Sequence, residues 1–332
     1  MEHGVITSLC HALDYIADEA SGHVIFQDRS DADAIALWVA SSYLLDHWLL
    51  FPKLLINSPE RECGKSTALQ VVEAFARNGR IASSITPSAV YRFIQSCTPT
   101  LLIDEADRSL RGNEELNGII NAGHTRRTAT KMLSVKGEDG EWKPAELSLW
   151  CPQVIAGIGE FEDTLMSRSI VIGLRRKLAR EHVSRMHIRY FEDHEFMRKF
   201  LIDWSESATP STTALDLPPE AGNRMQDNWE PLFRVAAMAG DTWVMRALRA
   251  FDVIEVQRKP YKVASSGSEL LADIREILKD EVAPEVASNV LLDKLLYHHD
   301  SDWMTANTGR PITGKWLAKT LRLYGVRPQR RA

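Results

Sequence analysis

Apolar residues near the start of the chain recur at helical spacing: Val5, Leu9, Leu13 and Ile16 share one face. A second helix is predicted from about Asp31, which can cap it, carrying Trp38, Leu44, Leu45 and Trp48. The stretch from Ala34 to Phe51 is the most apolar of the sequence, but Asp46 and His47 interrupt it and Lys53 follows. It reads as a buried helix running into a core strand, not as a membrane span.

Beyond residue 51 the pattern changes. Short, wholly apolar runs predict strands buried on both faces: Leu54-Leu55-Ile56, Leu101-Leu102-Ile103, Val154-Ile155-Ala156 and Ile170-Val171-Ile172, with Ile81 to Ile85 a further strand. Helices are predicted between them at about Lys65 to Arg77, Ser88 to Gln95 and Glu114 to Ala122. Residues 128–150 predict a hairpin, with Thr130 to Val135, a turn at Gly137-Glu138-Asp139-Gly140, and Ala145 to Trp150. Strands alternating with helices predict an α/β fold, a parallel sheet inside a three-layer αβα core. From Ala179 to Phe251 the pattern is nearly all helix, broken by a Pro/Ser/Thr-rich stretch at 208–219; 260–267 reads as a linker. The expected domains are an N-terminal helical segment (1–51), a core (52–178), a helical lid (179–259) and a C-terminal helical or winged-helix-like module (260–332).

Composition narrows this only a little. The 332 residues are 44% hydrophobic and 26% charged, which is ordinary for a globular chain. A formal net charge of −5 means that any contact with nucleic acid comes from local basic patches, not from the whole-chain field. Cys10, Cys63, Cys97 and Cys151 form no C-x-x-C pair, which argues against a zinc site or a disulfide framework and for a reducing compartment. Met1-Glu2-His3-Gly4 lacks a signal-peptide pattern, so a cytoplasmic location is expected.

The candidate chemistry lies at two strand ends. Ser58-Pro59-Glu60-Arg61-Glu62-Cys63-Gly64-Lys65-Ser66-Thr67 follows a predicted strand and opens a predicted helix. That is the context of a P-loop, in which main-chain N–H groups and the helix N-terminus face phosphates. Residues Pro59 to Thr67 would wrap the phosphates of ATP, Lys65 would reach the β- and γ-phosphates, and the Ser66 hydroxyl would bind Mg²⁺. Pro59 stands where the motif has its first glycine, which predicts an altered loop shape with binding retained. The second piece is Leu101-Leu102-Ile103-Asp104-Glu105. Asp104 would hold the Mg²⁺ shell, and Glu105 would act as general base on the attacking water. Arg168, before Ile170-Val171-Ile172, is the candidate for positive charge on the γ-phosphate of a neighbouring subunit; the alternative is a locally paired surface arginine. Arg126 and Arg127 are weaker candidates.

These segments, with Asn121-Ala122-Gly123-His124, Ala156-Gly157-Ile158-Gly159, Ser167-Arg168-Ser169-Ile170 and Asp227-Asn228-Trp229-Glu230-Pro231-Leu232, resemble a family of domains of unknown function. That family occurs in phage, prophage and plasmid proteins, often behind a primase, and is generally described as helicases of the AAA+ class. The resemblance implies a P-loop NTPase fold with a lid, and ATP and Mg²⁺ as ligands. It also implies a homo-oligomeric ring such as a hexamer, DNA as partner, and a primase or another replication or defence protein as further partner. It makes Arg224 a sensor arginine on the γ-phosphate and His124 either a site residue or a structural helix-end histidine. The resemblance also implies a polar sensor at the end of the strand that follows the carboxylate strand, yet Ala156-Gly157-Ile158-Gly159 there offers no Asn or Thr.

The hairpin would point into the ring pore with Lys136 and Lys143, although Glu138, Asp139 and Glu141 oppose phosphate there. In the C-terminal module Leu317, Leu321 and Tyr324 share one helical face, Lys315, Lys319 and Arg322 the opposite one, and Thr313 can cap the helix. That basic face suits DNA phosphates or is simply solvated. A winged helix would continue past Arg330-Arg331-Ala332, so a truncated or short form is expected there. His298-His299-Asp300 reads as surface. The leading expectation is an ATP-driven DNA motor of mobile-element replication. The alternatives are a non-translocating ATP switch and a small-metabolite kinase.

Overall fold

The computed structural model describes residues 6–83, 85–136, 140–178, 180–213, 222–257, 266–279, 286–297, 303–304, 311–322 and 326. The chain divides into two compact units, Met1–Arg258 and Lys259–Ala332.

The first unit opens with helices α1 (Leu9–His23) and α2 (Ser30–Tyr43). Every residue of α2 is buried, which explains why Ala34 to Tyr43 carries no polar face. The α2 start differs from expectation. Asp31 lies inside the first turn, and Asp28 Oδ1 accepts from the Ser30 N–H at 2.8 Å instead. After a short 3₁₀ turn at Leu45–His47 the chain runs through β1 (Lys53–Ser58), α3 (Lys65–Phe75), β2 (Gly79–Ala82), α4 (Pro87–Cys97), β3 (Thr100–Ile103), α5 (Ala106–Ser109) and α6 (Glu114–Ala122). The hairpin β4 (Thr130–Lys136) and β5 (Trp142–Ser148) follows, then β6 (Gln153–Ile158), α7 (Asp163–Met166) and β7 (Ser169–Gly173). Strand β2 begins earlier than the Ile81 to Ile85 run, because Gly79 and Arg80 already pair with Thr100 and Leu101. Helices α8 (Tyr190–Asp193), α9 (Glu195–Ser207), α10 (Asn223–Ala239) and α11 (Asp241–Phe251) and a π-helical turn at Asp252–Gln257 complete the unit.

The five-stranded sheet has the order β2-β3-β6-β1-β7, and all its pairings are parallel. The fold is therefore α/β with a parallel sheet. The strands read as unbroken apolar runs because both faces are covered: Leu54, Leu55, Ile56, Leu101, Leu102, Val154 and Ile155 are wholly buried. The helices expected to form a separate lid share this core. Trp229, Leu232 and Trp243 belong to the same hydrophobic cluster as the strands and α2. Arg246 on α11 ties α1 to α2 through ion pairs with Asp14 and Asp33.

The second unit holds three helices among the described residues, α12 (Ser266–Ile277), α13 (Ser288–Leu296) and α14 (Gly314–Arg322). Leu270, Leu295, Trp303, Ile312, Leu317 and Leu321 form its core. Thr313 Oγ1 accepts from the Trp316 N–H at 3.3 Å, the cap expected for α14. No helix among the described residues is long and apolar enough to cross a membrane. The hairpin turn at 137–139, residues 214–219 of the stretch 208–219, the linker from 260 to 265, His298-His299-Asp300, Tyr324 and Arg330-Arg331-Ala332 lie outside the described residues.

Candidate functional site

Parallel strands deliver their C-terminal ends to one edge of the sheet, where loops can converge. Strand β1 ends there in Ser58, and the turn to α3 bends at Glu62 (φ 63°) and Gly64 (φ 87°). Pro59 is not among the left-handed positions, so its fixed φ is compatible with this path. A Cβ on Gly64 would meet only Val24 Cγ1, at 3.9 Å, so the glycine serves the backbone angle, not a tight contact. Lys65 Nζ lies within the curve of the turn, donating to Ser58 Oγ at 2.9 Å and to the Glu60 carbonyl at 3.4 Å. Pro59, Glu60 and Arg61 are exposed, Thr67 is half-buried, and the Cys63 thiol is buried, 3.7 Å from the Arg61 carbonyl. Arg176, beyond β7, donates to Glu62 Oε2 at 2.6 Å and braces the turn from the side.

The carboxylates arrive from β3, two strands away in the sheet. Asp104 Oδ2 accepts from Ser66 Oγ at 2.9 Å, and Asp104 Oδ1 accepts from the Glu105 N–H at 2.8 Å. The hydroxyl and the carboxylate predicted to share one Mg²⁺ are thus hydrogen-bonded neighbours. Two hard oxygen ligands of this kind suit Mg²⁺, which takes the rest of its octahedron from phosphates and water. Glu105 sits in left-handed backbone (φ 50°) at the start of α5, and its carboxylate pairs with Arg108 Nη1 at 2.9 Å.

Strand β6 lies between β3 and β1, so its C-terminal end passes under this constellation. Asp107 Oδ1 accepts from the Ile158 N–H at 3.1 Å. A Cβ on Gly157 would stand 2.4 Å from Phe161 and 3.0 Å from Asp107, which is why no polar side chain occupies that position. A different amide reaches the same edge. Asn57 Nδ2 donates to the Gly159 carbonyl at 2.8 Å, and Asn57 Oδ1 is buried with no hydrogen-bond partner among the described residues. Asn57 and Arg176 escaped the sequence analysis. Asn57 was hidden because it lies within the strand preceding the motif, and Arg176 because only the fold brings it back to Glu62. A pocket beside α5, lined by Asp107, Arg111, Asn117, Glu160 and Phe161, includes no residue of the Ser58–Thr67 turn and is left out of the site.

Arg168 and Arg224 lie elsewhere. Ser169 is in register with Lys53 and Gly173 with Asn57, so Arg168 is at the opposite, N-terminal edge of the sheet from Lys65. Its Nη1 donates to the Thr164 carbonyl at 2.7 Å. Arg224, at the start of α10, donates to Ser167 Oγ at 3.2 Å and therefore sits beside Arg168. This corrects the expected role of Arg224: it does not face the Ser58–Thr67 turn of its own chain. Roughly 16 Å of strand, at about 3.3 Å per residue, separates the two edges. Burial and the neighbouring Arg224 push the Arg168 guanidinium below its usual pKa.

The same edge holds His124, which is a buried structural histidine. Its Nε2 meets Asn228 Oδ1 at 2.9 Å, and Asn228 Nδ2 donates to the Ser167 carbonyl at 3.1 Å. Because the Asn228 oxygen accepts, the Nε2 tautomer carries the proton. Burial lowers the His124 pKa to about 4, with Lys53, Arg168 and Arg224 adding to the effect. Lys53 Nζ is fully buried with no partner among the described residues, and burial lowers its pKa to about 7.

The basic candidates are on the surface. Lys136 and Lys143 are exposed near the hairpin tip, as is Glu141. Trp142, opposite Lys136 in the ladder, is 70% exposed. Lys315, Lys319 and Arg322 are exposed on α14, opposite the buried Leu317 and Leu321.

Residues 173–332 match a family described as Protein of unknown function (DUF3631). The match spans the helices after β7 and the second unit, including Arg224 and Asn228. It does not include Gly64-Lys65-Ser66-Thr67 or Asp104-Glu105. No curated protein matches the chain.

Proposed function

We propose that this chain is an ATP-hydrolysing P-loop ATPase of the AAA+ type that works as a homo-oligomer. The observation that carries the reading is the 2.9 Å hydrogen bond joining Ser66, at the start of α3, to Asp104, at the end of β3. A strand-turn-helix with Gly-Lys-Ser-Thr occurs by chance; its hydroxyl meeting a strand-end carboxylate from another βα unit does not follow from that turn alone. The strand order β2-β3-β6-β1-β7 supports it too, because it sets the lysine-bearing turn and the two carboxylates on one edge, with β6 between them.

In this reading the N–H groups of 60–66 and the Lys65 ammonium bind and orient the phosphates. Ser66 and Asp104 would hold Mg²⁺, which neutralises charge on the transferring phosphoryl group. Glu105 accepts the proton of the attacking water, once its carboxylate leaves Arg108. Arg168 supplies positive charge to the γ-phosphate of a neighbouring copy, since it faces away from its own site. Lys136 and Lys143 on the hairpin and Lys315, Lys319 and Arg322 on α14 are the proposed contacts to DNA phosphates.

A second reading is a non-translocating ATP switch that binds DNA or a protein partner and turns over slowly. What favours it is Gly157, whose close contacts leave no room for a polar sensor side chain. The test is ATP turnover with and without single-stranded DNA, together with displacement of an annealed strand. A motor gives DNA-stimulated turnover and displacement. A switch gives ATP-dependent binding without displacement. Wild-type turnover indistinguishable from that of Glu105→Gln would reject both.

A further inference from the structure

Buried polar groups are almost always hydrogen-bonded, and a buried charge needs a counter-charge. The N-terminal edge of the parallel sheet breaks both rules. Lys53, the first residue of β1, is 1% exposed, and its Nζ has no hydrogen-bond partner among the described residues. Gln153, the first residue of β6, is equally buried, and both polar atoms of its amide lack a partner among the described residues. The register Leu54↔Val154 sets Lys53 and Gln153 side by side on adjacent parallel strands. Trp150 Nε1, in the segment leading into β6, and Asn121 Oδ1, near the end of α6, are also buried without a partner among the described residues. Five of the eight such side-chain atoms among the described residues belong to these four residues, a concentration that marks a missing occupant and not scattered imperfect packing.

The neighbours supply no counter-charge. Arg168 acts on Lys53 with the same sign, and Lys53, Arg168 and Arg224 all act so on His124. The Cys151 thiol could ionise, but burial pushes its pKa up to about 12 against the opposing pull of the Gln153 amide and Lys53, so it stays protonated. That opposing pull also shows that the three side chains share one space. Gly123 leaves room for the amide: a Cβ there would collide with Gln153 Nε2 and stand 2.9 Å from the Leu149 carbonyl. Lys53 and Trp150 offer only N–H donors, and the Gln153 amide adds two more. Water can answer the unpaired amide, but it leaves the ammonium without a counter-charge. A surplus of donors and of positive charge, closed off from solvent, suits a compact anion.

We infer that Lys53 and Gln153 bind a monovalent anion of the halide class, buried at the N-terminal edge of the sheet, with the Trp150 indole N–H as a further donor. The inference is independent of the nucleotide reading, because this site lies at the opposite end of β1 from Ser58. Bound there, the anion neutralises Lys53 and joins the starts of β1 and β6. Halide binding and folding are therefore linked.

The test follows thermal unfolding of the full chain in chloride and in gluconate at equal ionic strength. At pH 6 the midpoint should rise with chloride, by about 2–4 °C for each tenfold increase above the dissociation constant, and stay flat in gluconate. At pH 9 the chloride effect should be lost, since burial lowers the Lys53 pKa to about 7 and leaves the folded chain without the ammonium. Lys53→Met should abolish the chloride effect, and in gluconate it should unfold no lower than the wild type. Crystals grown in bromide should show anomalous density within hydrogen-bond reach of Lys53 Nζ and Gln153 Nε2. Midpoints that follow ionic strength and not the anion, a chloride effect that is equal at both pH values or survives in Lys53→Met, or water in place of bromide would overturn the inference. Bromide density with no chloride effect on unfolding would mean an adventitious ion only, and rejects it too. If Lys53→Met does not fold, the two pH values and the bromide crystals of the wild type decide.

Discussion

Glu62 occupies left-handed backbone inside the Ser58–Thr67 turn, a conformation that costs an L-residue roughly 1–2 kcal/mol. Its exposed pair with Arg176 offsets little of that, since such pairs contribute only about 0–1 kcal/mol. Replacing it separates the two effects. Glu62→Gly should be more stable than Glu62→Ala by about 1 kcal/mol in urea unfolding, because only glycine relieves the angle. Lys53 is the second residue whose surroundings can be measured. Its pKa is about 7 in the folded chain against 10.5 for a free side chain. Between these values the unfolded chain binds the extra proton, so the burial penalty is full below pH 7 and fades toward pH 10.5. Stability should therefore rise with pH across that window. Lys53→Met should flatten the rise and add roughly 1–3 kcal/mol at pH 7. His124, whose folded pKa is about 4, gives the matching acid limb: stability should fall as pH drops from about 6.5 toward 4.

At the level of elements, the strands were legible because parallel strands buried on both faces leave uninterrupted apolar runs such as Leu101-Leu102-Ile103. The hairpin was legible by alternation. The start of β2 was not, because Gly79 and Arg80 are in the sheet through pairing with β3, which no local pattern records. The start of α2 was misplaced for a related reason: Asp31 suits a cap by residue type, but the helix begins at Ser30 after Arg29, and the Asp31 carboxylate accepts from the Asp28 N–H instead. The turn-and-carboxylate constellation was legible as two separate pieces. The union of Gly123-His124 with Asp227-Asn228-Trp229 was not, since the bond between them joins residues 104 positions apart. That union holds the segment carrying Arg168. Asn228→Ala should lower turnover with nucleotide affinity unchanged. His124→Gln, which keeps an N–H donor, should retain more turnover than His124→Ala.

The whole molecule consists of two units with separate hydrophobic cores. A chain ending after Arg258 should therefore fold with its first unit intact, seen as an unfolding transition that persists without residues 259–332. The proposed nucleotide binding should survive in that shortened chain, because every residue of the Ser58–Thr67 turn and the Asp104–Glu105 pair lies in the first unit. In the proposed motor, loss of DNA-stimulated turnover in this chain would place DNA contact in the second unit, which carries α14; its retention would place that contact in the first unit, which carries the β4–β5 hairpin.

Calorimetric titration of ATP with Mg²⁺ into the wild type, Lys65→Ala and Asp104→Ala tests the account most directly. The prediction is saturable binding to the wild type, weakened by removing Mg²⁺ or Asp104 and abolished without the Lys65 ammonium. Equal binding by all three chains, or none by the wild type, would contradict it.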